Sequence, residues 1–202
     1  MPSDEVPVQV IIRTLSRKPG LKDTHFQVLK QRLELVAVLA DNGFKFSQRS
    51  ASYCLADVAD KIGDVKTGQQ AKDALSKIAD QCSLPYVCQQ ILPAIFEGKN
   101  PKNQENALSW LCQAIKEFGF TGIEMKFLLA HIKLALANSN ASVRVGAVQL
   151  IATVHMYVGP SFRSLFDQEK AALLEQIDAE IDKFKQIKPP VPIRFEIFKP
   201  SI

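Results

Sequence analysis

The chain is short of almost everything that catalysis uses. Its three histidines, His25, His131 and His155, are far apart in sequence. The four cysteines, Cys54, Cys82, Cys88 and Cys112, form no C-x-x-C pair, and the five residues between Cys82 and Cys88 fit no zinc spacing. No Gly-x-Gly-x-x-Gly and no phosphate loop occurs. Nothing here points to an enzyme, a metal or a cofactor, and no residue is read as catalytic. The thiols read as small core residues of a reducing compartment.

Long apolar runs are missing too. The longest clean one is Leu35 to Ala40, and Phe127 to Ala137 is broken by His131 and Lys133. Neither approaches the roughly 20 residues that span a bilayer. The first five residues, Met1-Pro2-Ser3-Asp4-Glu5, have no apolar core of a signal peptide. A net charge of +4 is too small to call for nucleic acid. Aromatic residues are 8% and the only tryptophan is Trp110, flanked by Leu108, Leu111 and Cys112, which reads as core. Strand alternation is absent before the last dozen residues.

What remains is helical period. Phe26, Leu29, Leu33, Val36 and Ala40 recur at steps of three and four, as do Cys54, Leu55, Val58 and Ile62, and then Ala71, Ala74, Leu75 and Ile78. The pattern continues through Val87 to Ile95, Leu108 to Ile115, Ile123 to Leu136 and Val143 to Val158, and ends with Leu173, Ile177 and Ile181. Each stripe buries one face against a neighbouring helix. Breakers alternate in two sets. One comprises residues 17–24, 63–68, 97–103 and 137–142; the other comprises residues 41–43, 81–85, 119–122 and 158–161. Within the first set the spacing is roughly 40 residues, that of HEAT or armadillo units. The expected fold class is therefore all-α, an array of about five repeats of paired antiparallel helices, since no unit buries its own apolar face alone.

Stacking puts every loop of one set along the same edge. The first set leans positive, with Arg17, Lys18, Lys22, Lys66, Lys99, Lys102 and Arg144 against Asp23, Asp64 and Glu97. That suits an acidic partner.

Several segments then carry a specific resemblance. These are Arg17 to Thr24, Lys61 to Lys66, Lys99 to Gln104, Ala114 to Phe120, Tyr157 to Ser161 and Gln176 to Glu180. In this order they resemble a TOG domain of the ch-TOG and mini spindles family of microtubule polymerases, most of all the third domain of the array. Asn140 to Arg144 also resembles the general HEAT signature. The resemblance places residues 7–41, 48–82, 84–118, 123–158 and 161–184 on repeats B to F, with no match for repeat A and its loop tryptophan. It implies binding of the αβ-tubulin heterodimer through the intra-repeat loops. Leu21, Lys22, Thr24, Val65 and Lys66 would face β-tubulin, and Lys99, Asn100, Lys102 and Arg144 would face α-tubulin. It further implies a monomeric domain, a cytoplasmic setting at microtubule plus ends, spindle and centrosome, and no membrane or nucleic-acid partner. The alternative is a HEAT scaffold with a different protein partner.

The tail is the remaining expectation. The helical pattern stops at Lys188-Pro189-Pro190, because proline cannot continue a helix. Val191, Ile193, Phe195 and Ile197 then alternate with polar or proline positions, which puts one apolar side on an extended strand. The expected division is an array over residues 1–187 and a tail over residues 188–202 packed on the late repeats. Pro189 to Pro192 also offers a P-x-x-P ligand.

Overall fold

A computed structural model describes residues 7–41, 45–185 and 187–194. These residues form five successive helix pairs, and no strand occurs among them. The helices are α1 (Val8–Leu15), α2 (Phe26–Asp41), α3 (Gln48–Ala59), α4 (Gly68–Cys82), α5 (Leu84–Glu97), α6 (Pro101–Phe118), α7 (Met125–Leu136), α8 (Ala141–Val158), the short α9 (Pro160–Arg163) and α10 (Ala171–Asp182).

Local chemistry sets the helix starts. The side chains of Ser47, Ser83, Asn100 and Asn140 accept backbone N–H groups at the first turns of α3, α5, α6 and α8. Pro101 stands in the first turn of α6, where its missing N–H costs nothing. Helix α6 therefore starts earlier than its apolar stripe, and Lys102 and Asn103 lie in its first turn rather than in a loop.

The helices stack in two layers. Helices α1, α3, α5 and α7 contact one another in succession; α2 packs on α4, and α6, α8 and α10 pack in series. One apolar core runs through the array and includes Leu33, Leu55, Leu75, Ile91, Leu111, Ile132, Ile151 and Ile177. Helix α8 is apolar and long enough by composition to cross a membrane, but it is an interior helix packed by α6, α7 and α10. Gly146 lets α6 approach it: a β-carbon there would come within 3.2 Å of Leu108 Cδ1.

The second layer has a seam. Helices α4 and α6 lie apart and leave a groove of about 750 Å³ lined by Ser76, Lys77, Trp110, Gln113, Phe184 and other side chains. Polar rungs cross it from Lys72 to Asn106 at 2.8 Å and from the Trp110 indole N–H to Ser76 at 3.1 Å. Trp110 is thus core, with its one polar atom satisfied.

Among the described residues the tail meets the array through Arg194, the backbone of residues 193 and 194, and the Pro192 ring against Gly119. Arg194 bonds Asp80 of α4 at 2.6 Å and Glu117 of α6 at 2.7 Å, and the N–H groups of Ile193 and Arg194 both donate to the Glu117 carbonyl. Val191 and Ile193 stay 80% and 76% exposed, so the expected burial of these two side chains is corrected. The partners belong to the middle helix pairs. Phe195 and Ile197 lie outside the described residues.

Candidate functional site: the loop edge

Four loops, each inside one helix pair, are tied to their neighbours. The Asn103 side-chain oxygen accepts the Gly63 N–H at 3.1 Å, and its amide donates to the Asp60 carbonyl at 2.8 Å. One pair further on, Gln104 donates to the Gly98 carbonyl and accepts from Asn138, both at 2.9 Å. At the other end Lys22 reaches Asp57 at 3.1 Å, and the Lys66 ammonium sits 4.3 Å from the Phe26 ring centroid. These contacts place the four loops side by side along one edge of the array.

Each loop is also braced internally. Residues Gly20–Lys22 form a single 3-10 turn whose Leu21 is fully buried. Arg32 holds that turn by donating to the Gly20 carbonyl and to Asp23, whose other oxygen accepts the His25 N–H. In the next loop Asp64 accepts from the Lys66 N–H, the Thr67 N–H and the Thr67 hydroxyl. Burial works against the Asp64 carboxylate, but these donors outweigh it and hold its pKa below the usual carboxylate value. In the last loop Arg144 donates to the carbonyls of Asn138 and Ser139, both at 2.8 Å.

The residues singled out from sequence therefore divide by role. Lys22, Thr24, Val65, Lys66, Lys99, Asn100 and Lys102 are exposed along the edge. Lys99 and Lys102 have no side-chain partner among the described residues, so their charges are available. Asn100 spends its side-chain oxygen on the cap of α6. Arg144 is half-buried and closes its own loop. Leu21 differs from the rest: its side chain is fully buried and supports the edge from within.

Two features were not legible beforehand. Phe26 fits the apolar stripe of α2 by spacing, yet it is 41% exposed at the helix start. It stacks on His25 with ring centroids 6.1 Å apart. Asn103 and Gln104, buried polar residues that join the loops, resembled ordinary loop residues.

No cluster of three metal-binding side chains occurs among the described residues. Burial pushes the thiols of Cys54, Cys82 and Cys88 up to about 12 and that of Cys112 to about 11, which suits inert core sulfur rather than a nucleophile. His131 lies among Phe96 and Phe127.

Comparison with known proteins bears on this edge. Residues 16–181 match the family model described as the XMAP215/Dis1/CLASP TOG domain. Protein mini spindles of Drosophila melanogaster is 38% identical over 187 residues, which cover 92% of this chain and 9% of that protein. The solved structure of Drosophila melanogaster Mini spindles TOG3 superposes with a TM-score of 0.90 at 37% identity, covering 96% of this chain and 86% of that one. A structure described as the basis of tubulin recruitment and assembly by microtubule polymerases with TOG domain arrays superposes at 0.77. It covers 91% of this chain and 39% of that one at 13% identity, a likeness of fold.

Proposed function

Since this chain belongs to the XMAP215/Dis1/CLASP TOG-domain family, we propose that its loop edge binds the αβ-tubulin heterodimer. The observation that carries the reading is the alignment of four braced loops, with Lys22, Lys66, Lys99 and Lys102 exposed along one line. Rigid lysine-bearing tips hold their ammonium groups ready for carboxylates on an acidic surface. Little ordering entropy is lost on docking, because the loops are already fixed. The net positive charge along the line also steers encounter.

In this reading the first two loops meet β-tubulin through Lys22, Thr24, Val65 and Lys66. The next two meet α-tubulin through Lys99, Asn100 and Lys102, with Arg144 shaping the last loop. The module acts as a monomer with no catalytic step. The chain spans about 9% of the length of protein mini spindles. Microtubule polymerisation, and a place at plus ends, spindle and centrosome, are proposed as the setting in which this module works. Within the chain the proposed division is an array to residue 187 and a tail from residue 188.

Size-exclusion chromatography with purified tubulin tests the reading. The wild-type domain should co-elute at low salt, and K99E/K102E should not. Raising the salt should release the complex, because exposed charges are screened beyond a Debye length of about 8 Å at physiological ionic strength. Failure of the wild type to bind tubulin, with retention of some other protein on the same lysines, would favour a HEAT scaffold for a different partner.

A further inference from the structure

The lysines account for charge on the edge but not for its most exposed apolar groups. Val65 is 90% exposed at the tip of the second loop. It is held there because Asp64 accepts both N–H groups that follow it. Phe26, at the start of α2, exposes 41% of its surface although Leu29 and Leu33 of the same helix are buried. A large aromatic that folding leaves in water beside a binding loop is unusual, since burying it would stabilise the array.

Phe26 is also fixed on both sides. His25 stacks along one side with planes only 4° apart, and the Lys66 ammonium stands 4.3 Å from the ring centroid. The backbone beneath is pinned by Asp23 and Arg32. Lys66 follows Val65 directly, so its contact with Phe26 brings the tip of the second loop against the end of the first. The result is an apolar centre, Phe26 and Val65, on adjoining loops, with the cation Lys66 against the Phe26 ring. Interface energy concentrates in such a centre, with a polar rim that excludes water.

We infer that Phe26 and Val65 form the apolar anchor of the loop edge, and that Phe26 also positions Lys66. The inference rests on the tubulin reading and deepens it: the matching tubulin surface must offer an apolar patch bordered by carboxylates. Phe26 contributes contact area, and its ring face keeps the Lys66 ammonium aimed rather than free to rotate.

The test uses the folded domain, tubulin titration, and a solution readout independent of binding. F26A and V65S should each weaken tubulin binding by roughly tenfold or more while thermal melting stays near wild type. F26L keeps apolar bulk but loses the ring face, so it should weaken binding less than F26A. In NMR spectra the Lys66 side-chain protons should shift upfield in the wild type and return to ordinary positions in F26L. Because Phe26 acts partly through Lys66, K66M should cost less in F26L than in the wild type. If the wild type binds, K99E/K102E abolishes binding, and F26A and V65S bind normally, this inference is overturned and the tubulin reading stands. If the wild type itself does not bind tubulin, both fall. An unshifted Lys66 signal in the wild type overturns the positioning role alone.

Discussion

Asn103 accepts the Gly63 N–H at 3.1 Å from 40 residues away in sequence, and its own amide returns to the Asp60 carbonyl. One buried side chain thereby satisfies two backbone groups of the preceding helix pair. The approach is close enough to require glycine: a β-carbon on residue 63 would lie 2.6 Å from the Lys102 carbonyl carbon and 2.7 Å from the Asn103 nitrogen. N103A should leave the N–H and the carbonyl unpaired and cost about 2 kcal/mol. That corresponds to a Tm drop of roughly 4–8 °C. G63A should be destabilising as well. Calorimetry checks both, and unchanged melting in either would show that the loops are not joined this way.

Four of the cationic residues on the loop edge should separate by role under alanine substitution. Arg144 closes its loop with two hydrogen bonds to carbonyls, so R144A should lower stability by about 1–3 kcal/mol. Lys99 and Lys102 carry no such bonds, and K99A and K102A should stay within about 0.5 kcal/mol of wild type. K22A should also change little, because the Lys22–Asp57 pair is largely exposed on the lysine side. Chemical denaturation measures the set, and equal melting of all four variants would contradict this division.

The tail contact should behave as an ion-paired clasp. R194A strands Asp80 and Glu117 on facing helices of the seam and should lower Tm by several degrees. V191S and I193S should be nearly silent, since both side chains are already in water. The opposite ranking would restore an apolar brace.

The same contact has a pH signature. Burial raises the Asp80 pKa despite the opposing pull of Arg194. A carboxyl whose pKa is raised on folding stabilises most below its unfolded pKa of about 3.9 and contributes less as pH rises through its folded value. Removing Arg194 should raise the folded value further. The Tm difference between wild type and R194A should therefore be largest near neutrality and shrink as falling pH protonates the Asp80 carboxyl. A difference that stays constant with pH would argue against the clasp.

Asp64 titrates in the opposite sense. Its pKa is lowered, because the donors of Lys66 and Thr67 outweigh its burial. Its contribution is fully present above the unfolded pKa of about 3.9 and is lost as pH falls through the folded value. An NMR titration of its carboxyl carbon should give a midpoint below that of an unstructured aspartate, and D64A should loosen the loop that carries Val65. A midpoint at the ordinary value would show that the three hydrogen bonds do not persist in solution.

By itself the sequence determined the features that depend on near neighbours. Apolar residues at steps of three and four choose a helix and its buried face, and a glycine, proline or capping asparagine ends or starts it within a turn. The alternation of breakers at a repeating interval then compels stacking, which is why the two-layer array and the position of the edge could be read. The tertiary structure decided what depends on groups brought together from a distance. The same spacing that buries Leu29 leaves Phe26 in water, because α2 reaches the edge there and the residue opposite is Lys66. Leu21 lies in an edge loop and yet its side chain is buried, because Arg32 folds its turn inward. Arg194 lies 77 residues from Glu117 and 114 from Asp80, and no local pattern marks a partnership across such separations. Helix formation is local and leaves its period in the sequence, whereas the pairing of exposed loops and tails follows from the packing of the whole array.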